Sequence, residues 1–268
     1  MAALEGESVK RSFIVLTGLT AALLAVACSR TMPASTRPTG ASAWETAQDN
    51  SAFLAEQPLL ASMNSRQGRL VAAIGAQLEP VVSRMYGAPI HYYLTNEQDA
   101  NAYSFYAGRV FISEGMVKLA QNREEVAGIL CHESAHVIHH DGRNSAVAQH
   151  RHNLYVDDLV AHHRAMFAHL LRIGDNIVQL HFSRGQELHA DHTGAEICSQ
   201  AGSNPWGLVW MLQYMQRMAD FHTTRLSAYF ADHPSNQARI KALAIFLDTN
   251  REFRAWRPKR FIRFATPL

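Results

Sequence analysis

Apolar residues recur at helical spacing through most of the chain, with short strand-like runs near its centre. The spacing predicts helices over about 53–85, 113–119, 123–140, 154–182, 184–200 and 205–220, with Pro58 and Pro80 as breaks in the first of them. Residues 90–94 and 109–112 have the composition of β-strands. The pattern therefore predicts an α+β fold, mainly helical with a small β-sheet.

Composition narrows the class of protein. The chain has 268 residues, of which 47% are hydrophobic, and its 25 basic and 23 acidic residues leave a net charge of +2. This balance excludes a nucleic-acid binder that works by bulk charge. Three cysteines are too few for a disulfide scaffold, whereas 15 histidines indicate metal chemistry.

The N-terminus has the pattern of an export signal. Lys10 and Arg11 precede an apolar run over 13–27, which is shorter than the roughly 20 residues of a membrane span. The Ala-Val-Ala sequence before Cys28 resembles the lipobox of bacterial lipoproteins, in which the cysteine is acylated. We expect a signal peptide over 1–27 and a lipid on Cys28; a simple signal or an uncleaved anchor is the alternative.

Three further segments follow from composition. Residues 28–50 are rich in Ser, Thr, Pro and Ala, which is typical of a flexible tether. Residues 51–250 form the expected globular domain, and 251–268 form a basic, aromatic C-terminal tail that either contacts anionic lipid or a partner, or is a solvated tail. Ser29 after the cysteine resembles lipoproteins sorted to the outer membrane of Gram-negative bacteria.

A five-residue motif at 132–136 has the spacing of a metal-binding site. His132-Glu133-Ser134-Ala135-His136 reads HExxH within a predicted helix. Four residues advance a helix by about 400°, so both imidazoles leave one face and can share a metal ion. Glu133 lies about 100° further round, where its carboxylate can accept a proton from a metal-activated water.

A catalytic zinc needs a third protein ligand. The HExxHxxGxxH pattern is absent, because position 142 is glycine rather than histidine. After Glu133 the chain has three glutamates, Glu187, Glu196 and Glu252, and only Glu187 has an acid, Asp191, four residues later. One carboxylate of this pair can bind metal while the other orients a ligand histidine. Elimination favours Glu187 as the ligand.

Three motifs in order give a resemblance to a family. The segment 101–141, the ELHAD sequence at 187–191 and the His-Pro-Ser and Arg-Ile segments at 233–235 and 239–240 resemble the M48 family of zinc metallopeptidases. The resemblance implies a zincin-like (gluzincin) domain with one Zn²⁺ per chain. It also implies that His132, His136 and Glu187 bind zinc, that Glu133 is the general base, and that Asp191 accepts a hydrogen bond from a ligand histidine.

Further roles are predicted for two other places in the chain. The strand Arg109, Val110, Phe111 and Ile112 lies one helix before the HExxH helix, where zincins present an edge strand, and is expected to bind extended substrate. His233 is expected to stabilise the oxyanion or to cap the zinc, with a structural turn histidine as the alternative.

The other histidines and cysteines have plainer interpretations. His139 and His140 are expected to cap the HExxH helix, and the histidines over 150–181 to be surface or core residues. Cys131 and Cys198 are predicted to be two buried thiols, although an oxidising compartment allows a disulfide.

These observations predict a membrane-tethered zinc endopeptidase. Its expected substrates are extended polypeptides, namely misfolded or unassembled proteins of the cell envelope, and its expected location is the outer membrane, facing the periplasm. No nucleic acid is expected as a partner. One alternative is a chaperone or assembly factor for outer-membrane components with little proteolytic activity; a zinc hydrolase of small molecules is another.

Overall fold

The structure is a computed structural model. It describes residues 41–105, 107–142, 144–145, 182–219, 226, 229–230, 233 and 237–257. These residues belong to one unit of the chain, which spans 38–268. Cys28, the signal peptide, the predicted helix over 154–182 (except Phe182) and the tail from 258 lie outside the described residues.

Eight α-helices and three strands have both ends within the described residues. The N-terminal half contains α1 (Ala43–Glu56), a 3₁₀ turn (Gln57–Leu59), α2 (Arg66–Tyr86), β1 (His91–Thr95), β2 (Ala102–Ser104), β3 (Arg109–Ser113), α3 (Glu114–Leu119) and α4 (Arg123–Ile138). The C-terminal half contains α5 (Arg184–Gln200), α6 (Gly207–Ala219), α7 (Gln237–Thr249) and α8 (Arg251–Arg254). The predicted fold class, mainly helical with a small sheet, is confirmed.

Helix α1 begins inside the segment predicted to be a tether. Ser42 caps it, because its Oγ accepts from the backbone N–H of Glu45 and the Glu45 carboxylate accepts from the backbone N–H of Ser42 at 2.8 Å. The buried Glu45 also lies 2.7 Å from Nδ1 of His140, just after α4. The prediction of a tether over 28–50 is therefore wrong for residues 43–50, where this capping box starts a helix.

Pro80 lies inside α2 rather than breaking it, so that part of the prediction is wrong. Proline removes one backbone donor from a helix. Leu78, Val81 and Val82 on both sides of Pro80 are buried, and their packing holds the helix together across the missing hydrogen bond. The helix ends at Gly87, whose φ of 85° is in the left-handed region that glycine favours.

The sheet has the strand order β1-β3-β2. Strand β3 pairs parallel with β1 and antiparallel with β2. The outer edge of β1 is bridged at its C-terminal end, where Leu60 pairs with Thr95, whereas within the described residues no strand pairs with the outer edge of β2.

The prediction that Arg109, Val110, Phe111 and Ile112 form the substrate-binding edge strand is therefore wrong. These residues are a strand, as predicted, but both of its edges are already paired within the sheet. The missed element is β2, a three-residue strand whose few side chains leave little periodicity to detect.

Helix α4 is the centre of the domain. Every residue from Glu125 to Ile138 is buried, as expected of a helix surrounded by other elements. Two glycines allow the close approach of its neighbours: a Cβ on Gly128 would lie 2.3 Å from the backbone N of Leu208 in α6, and one on Gly194 would lie 3.2 Å from Cα of His132. Helices α5 and α6 therefore pack directly on the backbone of the HExxH helix.

Cys131 and Cys198 form a disulfide between α4 and α5. The prediction of two separate thiols is wrong, although both residues are buried as expected. The prediction rested on the distance of Cys198 from Glu187 along α5. Because α5 crosses α4 at close range, the two cysteine Cα atoms are only 5.9 Å apart.

Among the residues described, we find no helix that combines the length and apolar character needed to cross a membrane.

Candidate metal centre

The two histidines of the HExxH motif point from one face of α4. Their Nε2 atoms lie 3.1 Å apart, and the rings meet edge to face with centroids 4.6 Å apart. Both residues are at most 1% exposed. A separation of four residues on a helix produces this arrangement, as the sequence indicates.

Glu187 joins the pair from the first turn of α5. Ser183 and Gln186 form a capping box that sets where this helix begins. The carboxylate of Glu187 lies 3.6 Å from Nε2 of His132 and 3.4 Å from Nε2 of His136.

His233 completes the group from a later part of the chain. Its Nδ1 lies 3.4 Å from Nε2 of His132 and 3.1 Å from Oε1 of Glu187. His132, His136, Glu187 and His233 are all buried, and one ligand atom from each lies within 4.8 Å of the others.

These distances suit a shared metal ion. Zinc bonds of about 2.0–2.1 Å to nitrogen and oxygen separate neighbouring ligand atoms by about 3.3–3.4 Å in a tetrahedron. Five contacts among the four residues, of which three involve the Glu187 carboxylate, are 3.1–3.6 Å long, and with one ligand atom from each residue all four atoms lie within 4.8 Å of one another. Imidazole and carboxylate are also the ligands that zinc prefers besides thiolate. The four residues are therefore close enough, and of the right chemical type, to share one metal ion.

Two carboxylates orient the histidine rings of α4. Oδ1 of Asp191 lies 3.1 Å from Nδ1 of His132, and Oδ2 of Asp141 lies 2.8 Å from Nδ1 of His136. Each ring thus turns its Nε2 toward the group of ligand atoms. The position of Asp191 agrees with the expectation from the sequence, while Asp141 was not predicted.

The end of α4 explains how Asp141 reaches His136. The helix ends at Ile138, two residues earlier than predicted, and His140 adopts a left-handed φ of 53°. This turn directs the chain back, so that the carboxylate five residues after His136 meets its ring. A polar residue just beyond an HExxH helix was the only sequence signal for this contact.

Arg239 of α7 neutralises the carboxylates beneath the centre. Its guanidinium donates to Asp191 at 2.9 and 2.7 Å and also contacts Glu187. The ion pair with Arg239 lowers the pKa of Asp191 against the effect of burial, which alone would raise it. Arg239 belongs to the Arg-Ile segment of the family resemblance, but its contacts with Asp191 and Glu187 were not predicted.

Glu133 is completely buried beside the four possible ligands. Nε2 of His233 lies 3.3 Å from its Oε1, and within the described residues neither oxygen of Glu133 has a hydrogen bond of good geometry. Burial raises the pKa of Glu133. A carboxylate with a raised pKa and free lone pairs can take a proton from a nearby water.

The pKa values of the four possible ligands depend on the balance between burial and hydrogen bonding. Burial lowers the pKa of His132 and of His233. Burial would also lower the pKa of His136, but hydrogen bonds to Asp141 and Glu187 outweigh this effect and raise the pKa to about 9. For Glu187 burial favours the neutral form, but hydrogen bonds from His136 and His233 outweigh it and lower its pKa.

The neighbouring histidines do not belong to the group of four. His139 stacks on His189 with ring centroids 3.8 Å apart, and its Nε2 lies 3.0 Å from Oγ1 of Thr193. His192 stacks on Phe246. Phe182, which the sequence did not single out, stacks on the ring of His136 at 4.0 Å.

A helix that brings two imidazoles to a glutamate of a later helix, beside a small mixed sheet, is the architecture of a zincin-type metallopeptidase. A sequence model of Peptidase family M48 matches residues 65–245, and the chain belongs to this family. M48 is a family of metallopeptidases, so the predicted enzyme class is confirmed at the level of the family.

Curated relatives are similar to this chain at 25–28% identity. The Beta-barrel assembly-enhancing protease of Yersinia pestis is 28% identical over 203 residues, which cover 71% of this chain and 39% of that protein. Metalloprotease LoiP of Escherichia coli (strain K12) is 25% identical over 186 residues, covering 68% of this chain and 71% of that protein. Mitochondrial metalloendopeptidase OMA1 of Schizosaccharomyces pombe is 27% identical over 169 residues, covering 62% of this chain and 49% of that protein.

Proposed function

We propose that the protein is a zinc endopeptidase in which Glu133 is the general base and His132, His136 and Glu187 hold the metal. The observation that carries the proposal is the spacing of buried nitrogen and oxygen atoms at 3.1–3.6 Å, with an unpaired carboxylate beside them. Bound zinc would polarise the scissile carbonyl and lower the pKa of water from about 15.7 to about 7.

During peptide hydrolysis, the side chains around the proposed zinc would transfer a proton and keep the ligand histidines in place. Glu133 accepts the proton of the attacking water and passes it to the leaving amine, for which a raised pKa is suited near neutral pH. Asp191 and Asp141 hold the two imidazoles in the tautomer that leaves Nε2 free for the metal. Arg239 offsets the negative charge of Asp191 and Glu187.

The substrate would bind as an extended strand at the outer edge of β2. This edge is open within the described residues, and β2 packs against α4, the helix of the HExxH motif. A segment that adds to the edge uses main-chain hydrogen bonds, so it would be accepted with many side chains if it is unfolded. This edge replaces β3 as the proposed place of substrate binding.

His233 would cap the metal in a resting state. Its Nδ1 belongs to the group of four possible ligand atoms, where it would fill the position that a catalytic zinc leaves open. Substitution His233→Ala should weaken zinc binding and raise the rate at which an unfolded protein is cleaved at saturating zinc. A fall in rate with unchanged zinc binding would instead support a role for His233 on the oxyanion.

The proposed setting is the cell envelope, with misfolded or unassembled envelope proteins as substrates. A signal-like N-terminus with Cys28 after Ala-Val-Ala supports a lipid anchor facing the periplasm, and one relative is named for β-barrel assembly. Metabolic labelling with a palmitate analogue should mark the wild-type chain and not the Cys28→Ser variant. Equal labelling of both would remove the lipid anchor from the proposal.

The test of the reaction compares variants loaded with equal zinc. Wild-type protein should cleave unfolded casein and lose this activity to a chelator, and Glu133→Gln should reduce cleavage by about 10²–10⁴-fold, the range for a general base, while keeping its zinc. Glu196→Gln, an acid on the exposed side of α5, is the matched control and should cleave at the wild-type rate. Full activity of Glu133→Gln would contradict the proposal.

The closed site favours a second candidate function. The four possible ligands and Glu133 are at most 1% exposed. An extended chain that binds at the edge of β2 while these groups stay covered would be held without being cleaved. A chaperone or assembly factor of this kind would still work without its base. If Glu133→Gln restores growth to a deletion strain as well as the wild type does, this second function is the main one.

A further inference from the structure

Tyr229 lies one helical turn before His233 and on the same face of the chain. The backbone N–H of His233 donates to the carbonyl of Tyr229 at 2.9 Å, as in a helix. The two rings are stacked with centroids 4.7 Å apart and an interplanar angle of 23°. Tyr229 therefore packs against an imidazole that lies 3.3 Å from Glu133 and 3.4 Å from His132.

The hydroxyl of Tyr229 is buried without a partner among the described residues. Tyr229 is one of the largest completely buried side chains, and a buried hydroxyl normally finds a hydrogen bond, since leaving it unpaired costs free energy. Phenylalanine would fill the same space without this cost. An unpaired donor that persists beside catalytic groups has an explanation if its partner arrives with the substrate.

The electrostatics keep this hydroxyl protonated. Charged groups face it from three helices, namely Glu133 of α4, Glu187 and Asp191 of α5, and Arg239 of α7. Burial, together with the nearby carboxylates, raises the pKa of Tyr229 well above its ordinary value. A neutral phenol can donate a hydrogen bond.

We propose that the hydroxyl of Tyr229 donates a hydrogen bond to the scissile carbonyl oxygen as that oxygen gains negative charge. The proposal rests on the peptidase function proposed above and assigns Tyr229 a catalytic role within it. No bond to Tyr229 forms or breaks, and the phenol keeps its proton, while Glu133 carries the proton from water to the leaving amine. A donor that is already fixed and dehydrated stabilises the transition state at little cost of reorganisation.

The test is Tyr229→Phe, which removes one oxygen atom and preserves the ring. Loss of one oxyanion donor should lower kcat by about 10²–10³-fold and leave KM nearly unchanged. Affinity for a peptide phosphinate, which mimics the tetrahedral state, should fall by a similar factor, while affinity for a non-hydrolysable extended peptide should not. Zinc content should equal that of the wild type.

A second readout does not depend on the metal-loaded enzyme. Because the hydroxyl is unpaired, metal-free Tyr229→Phe should unfold at the same or a higher denaturant concentration than the metal-free wild type. Tyr214→Phe in α6, a half-buried tyrosine outside the group, is the matched control and should leave kcat unchanged.

The outcomes separate this proposal from the peptidase function. If the wild type cleaves and Glu133→Gln does not, but Tyr229→Phe keeps the wild-type kcat, the catalytic role of Tyr229 is overturned alone. A reduced kcat that comes with lost zinc or lower stability of the metal-free variant also overturns it, because the effect is then structural. If Glu133→Gln cleaves like the wild type, the peptidase mechanism fails and the role of Tyr229 fails with it.

Discussion

At the scale of single residues, the second ring nitrogen of each histidine decides how well the centre binds metal. Nδ1 of His136 faces Asp141 and Nδ1 of His132 faces Asp191, so both Nε2 atoms are directed into the group of ligand atoms. A carboxylate partner fixes the tautomer and makes the opposite nitrogen a better ligand. Asp141 and Asp191 are therefore expected to control how tightly the protein binds zinc, although neither is a proposed zinc ligand.

Asp141→Ala tests this expectation. The variant should bind zinc about 10–100-fold more weakly than the wild type, because the ring of His136 loses its orienting acceptor. Competition with a chromophoric chelator measures the affinity. Asp248→Ala, which removes a half-exposed acid paired with Arg257, is the matched control. Equal zinc affinity of Asp141→Ala and Asp248→Ala would contradict the orienting role.

Zinc binding should also release protons in a defined pH range. The pKa of His136 is raised from 6.5 to about 9 in the metal-free protein, so the ring is protonated at pH 7.5 and must lose its proton to bind zinc. Zinc affinity should rise as pH increases toward about 9 and level off above it. The same raised pKa stabilises the metal-free fold fully below pH 6.5, and this contribution disappears as pH rises through about 9.

Calorimetry in two buffers with different ionisation enthalpies measures the proton release. About one proton per zinc is expected at pH 7.5, since burial already keeps His132 and His233 neutral. Release should approach zero above pH 10. A heat of binding that is independent of the buffer at pH 7.5 would contradict a protonated His136.

The residues of the centre differ in how far the sequence predicts them. Spacing alone brings His132 and His136 together, and the acid pair Glu187 and Asp191 stands out by elimination; their catalytic roles stay predictions. Asp141 could not be found in this way, because its contact depends on the left-handed turn at His140.

At the scale of elements, the centre depends on how α5 is held against α4. Glu187 and Asp191 come from α5, and their contacts with the histidines of α4 are 3.1–3.6 Å long. Gly194 and the disulfide of Cys131 with Cys198 fasten the same two helices. A change in this packing should therefore change both stability and metal binding.

Removing the disulfide should destabilise the domain. The bond joins residues 67 positions apart, and closing a loop of this size is worth about 4 kcal/mol in the unfolded state, with measured values typically about 2–4 kcal/mol. The free energy of unfolding of the variant Cys131→Ala/Cys198→Ala, measured by denaturant unfolding, should be lower by this amount. Wild-type protein kept in reductant is the control and should resemble it. Unfolding that is the same with and without reductant would contradict the predicted contribution.

Strands and helix ends show why part of the fold escapes prediction. Helices α2, α4, α5 and α6 and strands β1 and β3 lie where the pattern predicts them, whereas α7 was not predicted and the helix expected over 154–182 lies outside the described residues. The pattern could not reveal that β3 is central, because strand order depends on partners distant in sequence. Pro80 and the start of α1 were missed because tertiary packing and a capping box outweighed local signals.

At the scale of the whole molecule, one domain contains a buried group of possible metal ligands and a sheet edge that no strand of the described residues covers. The domain encloses its catalytic groups, with Arg239 balancing buried carboxylates and His233 within the group of ligands. If the protein is the protease proposed above, such a closed state would keep it from cleaving folded neighbours. Membership in the M48 family agrees with this chemistry over residues 65–245.

The most direct test of the central claim is anomalous diffraction at the zinc absorption edge, from crystals of the full chain purified with zinc. We expect one peak per chain, bounded by Nε2 of His132, Nε2 of His136 and the carboxylate of Glu187. If crystals of active protein show no peak between these three residues, or show zinc bound only elsewhere, the proposed zinc centre is wrong.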